Sequence, residues 1–163
     1  METNTTINSI AELLTRAEHS LRTADHMVYI TYPLIKENLL LKKILEELNI
    51  SATSTIQAII NYESLYKRIS IQEPKASWLA FKEKCAPRFN ISQQEIQIIF
   101  ELLSLAEKYK SSAMNFIRKD RLVIMNDNLR TETVNLDQLK KYLGSVKVLL
   151  LKTKTKIQQE RIS

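Results

Sequence analysis

The sequence predicts a mainly α fold. We expect one helical domain over residues 1–163, a bundle built on two long antiparallel helices, with a small β-hairpin before the C-terminal helix. The chain of 163 residues has one Gly and three Pro, whereas a sheet-rich fold needs many tight turns and the glycines that form them. Apolar residues also recur in steps of three and four over long stretches, which is the period of a helix with one buried face.

The longest such stretch runs from Leu39 to Ile69 and predicts a central helix. A helix of that length spans about 46 Å at 1.5 Å per residue, so other elements must cover it along its length. Its weak point is Asn49–Thr53, where short polar side chains compete for backbone hydrogen bonds and favour a bend. The predicted apolar stripe is Leu41, Leu45, Leu48, Ala52, Ile56, Ile59, Tyr62, Tyr66 and Ile69.

A first helix is predicted from Ile7 to Thr31. It should end near Tyr32, because Pro33 disfavours helical backbone in the residue before it. The short connection to the central helix predicts that the two helices pack antiparallel. The core stripe of the first helix is Ile10, Leu14, Ala17, Leu21, Ala24 and Val28.

Prolines and a capping box divide the next part of the chain. Residues 71–74 should break the central helix, and Pro74 suits the first turn of a shorter helix over Ala76–Ala86. Pro87 is expected to stop that helix. Ser92 and Glu95 form a capping box, in which each side chain bonds the backbone N–H of the other residue. This box predicts a helix to about Lys110.

A β-hairpin is predicted at about residues 121–134. Residues 121–126 are rich in β-favouring side chains and residues 129–134 alternate in polarity, with Asp127 and Asn128 at the turn between them. A lone hairpin is marginally stable in water, so it should lie on the bundle. A second capping box at Asn135–Gln138 predicts a last helix to about Gln158. Its inward residues should be Leu139, Leu143, Val146, Leu150, Thr153 and Ile157.

The net charge of +6 is unevenly distributed. Residues 1–107 have a balance of −2 and residues 108–163 a balance of +8, which indicates a polyanionic partner for the C-terminal part. No apolar run approaches the roughly 18 residues that cross a bilayer, and the N-terminal residues lack the features of a signal peptide. One cysteine, Cys85, excludes an internal disulfide framework. We therefore expect a cytoplasmic protein with no membrane partner.

Cationic side chains make the strongest functional pattern. Lys140, Lys147 and Lys154 recur every seven residues and form one stripe of the last helix. Cations at such positions neutralise phosphates and supply sequence-independent affinity for nucleic acid. A Lys-rich solvated face is the alternative interpretation, and no exposed aromatics are interleaved with the cations to stack bases. The predicted nucleic-acid-binding residues are Arg118, Lys119, Arg121, Arg130, Lys140, Lys141, Lys147, Lys152, Lys154 and Lys156.

The titratable residues of the first helix give a weaker pattern. His19 and His26 are separated by about 10.5 Å of helix rise, which is too far for both to bind one zinc ion at about 2 Å. Arg22 and His26 are one turn apart and suit action on a phosphate, Arg by charge and His by proton transfer. A solvated helix face is the simpler interpretation. The apolar neighbours of Cys85 predict a buried, inert thiol. We expect no metal and no cofactor.

Four segments resemble those of a group of small archaeal helical proteins of unknown function. They are Tyr29–Ile35 (YITYPLI), Asn61–Lys67 (NYESLYK), Ala86–Asn90 (APRFN) and Phe116–Asp120 (FIRKD). The resemblance covers most of the chain, and because no activity is attached to the group it implies none here.

More distantly, a long antiparallel helix pair with shorter helices is similar to the HEPN class. Many HEPN proteins are ribonucleases, and their motif is Arg, four to six residues, then His. Arg22 and His26 have three residues between them, so this pair departs from the motif.

We therefore predict a non-enzymatic binding or adaptor protein that contacts RNA or a ribonucleoprotein through a basic C-terminal face. An HEPN-like, toxin-type ribonuclease that uses Arg22 and His26 is the alternative hypothesis. A third hypothesis is a structural homodimer or protein-partner module that uses surplus apolar surface on the long helices.

Overall fold

The computed structural model describes residues 2–70 and 74–162, and its fold is mainly α with a three-stranded antiparallel sheet before the C-terminal helix. Of the break predicted at residues 71–74, residues 71–73 lie outside the described residues. No described helix is both long and apolar enough to span a bilayer. The helices are α1 (Glu2–His26, Met27–Thr31 and Tyr32–Ile35), α2 (Leu40–Leu65), α3 (Pro74–Ala80, Phe81–Cys85 and Ala86–Arg88), α4 (Gln93–Lys110) and α5 (Leu136–Ile162). The strands are β1 (Met114–Arg118), β2 (Arg121–Met125) and β3 (Thr131–Val134).

Helix α2 lies at the centre and packs against α1, α3, α4, α5 and β2. It is continuous through residues 49–53, where the sequence favours a bend. The hydroxyl groups in and next to this segment donate hydrogen bonds to carbonyl oxygens, and the helix remains unbroken. Thr55 Oγ1 donates to the Ser51 carbonyl at 2.8 Å, and Ser51 Oγ donates across the interface to the Ala17 carbonyl of α1 at 2.8 Å.

Two of the three prolines lie inside helices, so the predicted helix ends at Tyr32 and Pro87 are wrong. In α1, a π-helical turn over Met27–Thr31 comes just before Pro33, and the Tyr32 N–H donates to the Met27 carbonyl. Proline in an α-helix clashes with the carbonyl four residues earlier. The π turn shifts the bonding to the fifth residue back and relieves that clash. The helix therefore continues to Ile35.

Helix α3 repeats this arrangement. A π-helical turn over Phe81–Cys85 precedes Pro87, and the Ala86 N–H donates to the Phe81 carbonyl. The helix then continues to Arg88. Because both prolines follow a π turn at the same spacing, the same backbone adjustment accounts for both.

The end of α2 also differs from the prediction, at Leu65 instead of Ile69. Lys67 has a φ of 57°, in the left-handed region, and its N–H donates to the Ser64 carbonyl at 3.0 Å. The Arg68 N–H donates to the Glu63 carbonyl at 3.0 Å. This pair of bonds is the Schellman motif that terminates helices, and Lys takes the position that Gly commonly fills.

The predicted capping boxes and the inward face of the last helix are confirmed. Ser92 and Glu95 exchange bonds of 3.1 and 2.9 Å. Asn135 and Gln138 do the same at 3.0 and 3.2 Å. All six side chains predicted to face inward on α5 are buried. The helix continues to Ile162, beyond the predicted Gln158.

The predicted hairpin at 121–134 is confirmed as β2 and β3, but strand β1 was missed. It pairs antiparallel with β2, with Phe116 opposite Val123 and Arg118 opposite Arg121. The inner face of the sheet is packed on the bundle through Leu122, Ile124 and Val134, all of them buried. The sheet therefore has one covered face and one face that the helices leave open.

The turn between β2 and β3 gives a test of backbone strain. Leu129 has a φ of 61° and is 75% exposed, and a left-handed conformation costs a residue with a Cβ about 1–2 kcal/mol. We expect Leu129→Gly to raise the free energy of unfolding by about 1 kcal/mol, measured by urea denaturation. Asn128→Gly, in the same turn but without a positive φ, should give no such gain. Equal gains from both would contradict the strain argument.

Candidate nucleic-acid interface

The lysine stripe of α5 faces helix α1. Lys147 Nζ lies 2.5 Å from the Asp25 carboxylate, and Lys154 forms an ion pair with Glu18. Lys140 Nζ and Lys147 Nζ lie 5.7 and 5.6 Å from the centre of the Tyr29 ring, within the range of a cation–π interaction. The stripe is therefore used in packing α5 against α1.

Lys152 and Lys156 lie on another side of α5. Lys152 Nζ donates to both oxygens of Glu95 at 2.8 and 2.9 Å and to the Asn90 carbonyl at 2.7 Å. Lys156 Nζ lies 3.7 Å from Glu160 one turn along the same helix. Burial raises the pKa of Glu95, but the bonds from Lys152 and Ser92 outweigh it and lower that pKa below its usual value. The six predicted α5 lysines thus do not form one open face.

The cations at the β1–β2 turn differ from the α5 lysines in their ion pairing. Arg118, Lys119 and Arg121, which we call the basic turn, are exposed, and the structure gives their side chains no ion pair or hydrogen bond within the described residues. Arg118 and Arg121 lie directly opposite each other in the antiparallel register. Like charges in that position repel each other and destabilise a strand pair. Arg130 lies in the other turn, about 17 Å along the sheet from Arg121 at 3.4 Å per residue.

The open face of the sheet begins at the basic turn. A cavity of about 610 Å³, the sheet groove, lies along this face. Its lining includes an aromatic ring at Phe116, apolar side chains at Val123 and Met125, and hydroxyls at Thr131 and Thr133. An aromatic residue thus accompanies the cations, although none was expected beside them from the sequence.

The bundle fixes the position of the basic turn. Asn38, between α1 and α2, donates from Nδ2 to the Lys119 carbonyl at 2.7 Å. The Tyr32 hydroxyl donates to Asn38 Oδ1 at 2.7 Å. A chain of two hydrogen bonds therefore connects the last turn of α1 to the turn that bears the cations.

A second surface lies at the same end of α1. Four apolar side chains, which we call the apolar corner, are more exposed than is usual for their type. These are Leu34 at 81%, Ile35 at 64%, Leu39 at 57% and Ile30 at 50% exposed. Exposed apolar side chains grouped in this way mark interaction surfaces. Asn38, which bonds to Lys119, lies within this segment, so the apolar corner and the basic turn are neighbours.

The two residues of the predicted catalytic pair lie on the exposed side of α1. Both Arg22 and His26 are exposed. His26 Nδ1 lies 3.1 Å from Thr31 Oγ1, and no bond joins Arg22 to His26 in the described part of the chain. Across residues 2–70 and 74–162, no three His, Cys, Asp or Glu residues are grouped in a way that suits a metal ion.

An ion-pair cluster of Glu63, Arg68, Arg88 and Glu160, built around the buried Glu63, was not foreseen from the sequence. Glu63 is only 1% exposed. Arg88 bridges the two carboxylates, from Nε to Glu63 Oε2 at 2.9 Å and from Nη2 to Glu160 Oε1 at 2.6 Å. Arg68 lies 3.6 Å from Glu63 and 3.3 Å from Glu160. The cluster joins the ends of α2, α3 and α5, so it is part of the scaffold.

Two pKa shifts follow from this cluster. Burial raises the pKa of Glu160, but hydrogen bonds from Tyr62 and Arg88 outweigh it and hold that pKa below its usual value. Cys85 is buried, as predicted, and burial together with the nearby Glu63 charge raises the pKa of its thiol to about 12. A thiol with that pKa stays protonated at neutral pH, which opposes nucleophilic reactivity.

Comparison of the chain with protein-family models, curated proteins and solved structures finds no match.

The lowered pKa of Glu160 predicts the behaviour of the protein in acid. A carboxylate whose pKa is lower in the folded state stabilises the fold above its unfolded pKa, near 4.3, and this stabilisation is lost as the pH falls through the folded value. We expect Glu160→Gln to reduce the dependence of the free energy of unfolding on pH below about 5, measured by urea denaturation at several pH values. Glu12→Gln, at an exposed carboxylate with no partner among the described residues, should keep the wild-type dependence. An unchanged slope in Glu160→Gln would contradict the assignment.

Proposed function

We propose that this protein is a non-enzymatic adaptor that contacts RNA, alone or in a ribonucleoprotein, through the basic turn. The observation that carries the proposal is the cross-strand pair of Arg118 and Arg121, which face each other with no carboxylate partner. Repulsion between them is relieved when an anion lies between their guanidinium groups. Arg binds phosphate oxygens through two parallel N–H donors, so a phosphate backbone is a suitable anion.

The contrast with α5 supports this choice among the predicted cations. Lys147, Lys152 and Lys154 already bind carboxylates of the protein. A phosphate that bound these lysines would have to displace those carboxylates. At the basic turn the nearby Asp120 forms no ion pair with the arginines among the described residues, so a phosphate displaces water and counterions there. We therefore assign phosphate binding to Arg118, Lys119 and Arg121. Arg130 and Lys141 add to the positive electrostatic field from farther away.

The scaffold suits this role if α1 and α2 are the antiparallel pair on which the bundle is built. The bond from Ser51 to Ala17 fixes their contact near the middle. Asn38 and Tyr32 lie where the two helices join and connect this pair to the basic turn. A turn held on such a pair presents its cations in a fixed arrangement, which reduces the entropy lost on binding.

Removal of the two arginines tests the proposal. We expect Arg118→Gln/Arg121→Gln to weaken binding of RNA at about 50 mM salt and to lower the slope of log K against log salt by about 1.4, since each phosphate contact on a single strand contributes about 0.7. The measurement is fluorescence anisotropy with labelled RNA from about 50 to 200 mM salt. Lys147→Gln/Lys154→Gln removes the same charge elsewhere and should have a smaller effect.

Equal losses in the two double variants would contradict the assignment to the basic turn. Affinity of the wild type that does not change with salt would contradict phosphate binding altogether. The RNA recovered after each titration should be intact. Cleavage that is abolished by His26→Ala would instead favour the HEPN-like hypothesis with Arg22 and His26.

A second candidate function is self-association through the apolar corner. Exposure of Leu34 and Ile35 above 60% is the observation that favours it. The adjacent Lys36 and Glu37 are both exposed and opposite in charge. In a two-fold contact that placed Lys36 of one copy beside Glu37 of the other, the same ion pair would form twice, so the corner suits self-association in charge as well as apolar character.

Light scattering across a concentration range tests self-association. We expect the wild-type mass to rise towards that of a dimer, and Leu34→Asp to keep the monomer mass because it places a charge in the apolar contact. Leu151→Asp, at an exposed leucine of α5, is the matched control and should associate as the wild type does. A monomer mass at every wild-type concentration would exclude the homodimer.

A further inference from the structure

We propose that the sheet groove binds single-stranded RNA, with one base stacked on Phe116 while the adjacent phosphates lie on Arg118 and Arg121. This inference rests on the proposed function and adds the class of RNA and the residue that contacts a base. Phe116 and Arg118 lie on the same face of β1, two residues apart, which is about 7 Å along the strand. A ring and a guanidinium at that spacing can contact a base and the phosphate next to it.

The register of the sheet gives the ring a support. Phe116 lies directly opposite Val123, which is 8% exposed, and Met125 follows on the same face of β2. The Phe116 ring therefore has apolar neighbours on the sheet side, while part of it remains accessible in the groove. Stacking on accessible aromatic rings is the usual way in which proteins hold unpaired bases.

The composition of the groove favours a single strand over a duplex. A duplex presents phosphates and sugars to a protein and keeps its bases stacked inside, and the deep major groove of A-form RNA excludes side chains. Phosphates would be bound by the cations alone, whereas the apolar side chains of Phe116, Val123 and Met125 beside them suit contact with a base. The hydroxyls of Thr131 and Thr133, on the far side of the groove, can bond to the edge of a base or to a ribose hydroxyl.

Three probes and three variants of the full chain test the stacking. The probes are a labelled oligo(U) of about 12 nucleotides, within the site sizes of single-strand binders, an RNA duplex of the same length, and polyphosphate as a competitor. Phe116→Leu keeps the apolar volume but removes the aromatic face, and Phe116→Tyr keeps that face. Phe100→Leu is the control, at an exposed aromatic residue that does not line the sheet groove.

We expect oligo(U) to bind more tightly than the duplex. Phe116→Leu should weaken oligo(U) binding at least about fivefold, the lower end of what one stacked base contributes, and should leave duplex and polyphosphate binding unchanged. Phe116→Tyr and Phe100→Leu should bind oligo(U) as the wild type does. A fluorescent purine analogue in the RNA should be quenched on wild-type protein, which tests stacking without any change to the sheet.

The outcomes separate this inference from the function on which it rests. Binding of none of the three probes by the wild type overturns the proposed function, and this inference with it. Two other results would overturn the stacking alone. In the first, binding depends on salt but Phe116→Leu binds oligo(U) as the wild type does. In the second, the duplex binds as tightly as oligo(U) and the purine analogue is not quenched. The basic turn would then remain a phosphate site without base contact.

Discussion

The burial of α2 on almost every side is the constraint on which the rest of the structure depends. Sixteen of the 26 residues of this helix are buried, including Glu47, Asn49, Ser51, Thr55 and Glu63. A buried polar group costs free energy unless it is bonded. The neighbouring elements must therefore supply partners as well as apolar surface, which they do at Ala17 of α1 and Arg88 of α3. Specific polar bonds of this kind fix each neighbour at one position along α2.

The two π-helical turns are the second device that sets the geometry. Without the turn at Met27–Thr31, α1 would end at Pro33, and Tyr32 would lose the helical position from which it bonds Asn38. Asn38 in turn holds the Lys119 carbonyl. The local adjustment that accommodates Pro33 therefore also determines where the cations of the sheet lie. This is a physical connection between a backbone irregularity and the proposed site.

Features encoded by neighbouring residues were predictable from the sequence. The capping box at Ser92 and the inward face of α5 depend on contacts or periodicities within one helix, and both are confirmed. The interior prolines were misread because a π turn leaves no sequence signal comparable to that of Pro itself. Strand β1 was missed because its residues, Met114–Arg118, form a strand only through pairing with β2.

The candidate site was predictable only as a set of residue types. The seven-residue spacing of Lys147 and Lys154 is visible in the sequence, but their partners Asp25 and Glu18 lie more than 100 residues away in the chain. Whether a cation is free depends on such distant partners, so the sequence could not separate paired lysines from unpaired arginines. It also could not place Phe116 beside Arg118, since that requires the strand that was missed.

This separation of paired and unpaired cations explains how a strongly basic segment can serve both stability and binding. The excess charge of residues 108–163 is partly neutralised where α5 meets α1 and α4, through the acids at Glu18, Asp25 and Glu95. The sheet projects its outer face away from those helices, so no acid of the bundle reaches Arg118 or Arg121 among the described residues. Their charge remains available to a ligand because they lie beyond the carboxylates of the helices. The adjacent Asp120 also lines the sheet groove but forms no ion pair with either arginine among the described residues. A mutation that places a carboxylate opposite Arg118, such as Arg121→Glu, would stabilise the strand pair and remove the anion site by the same interaction.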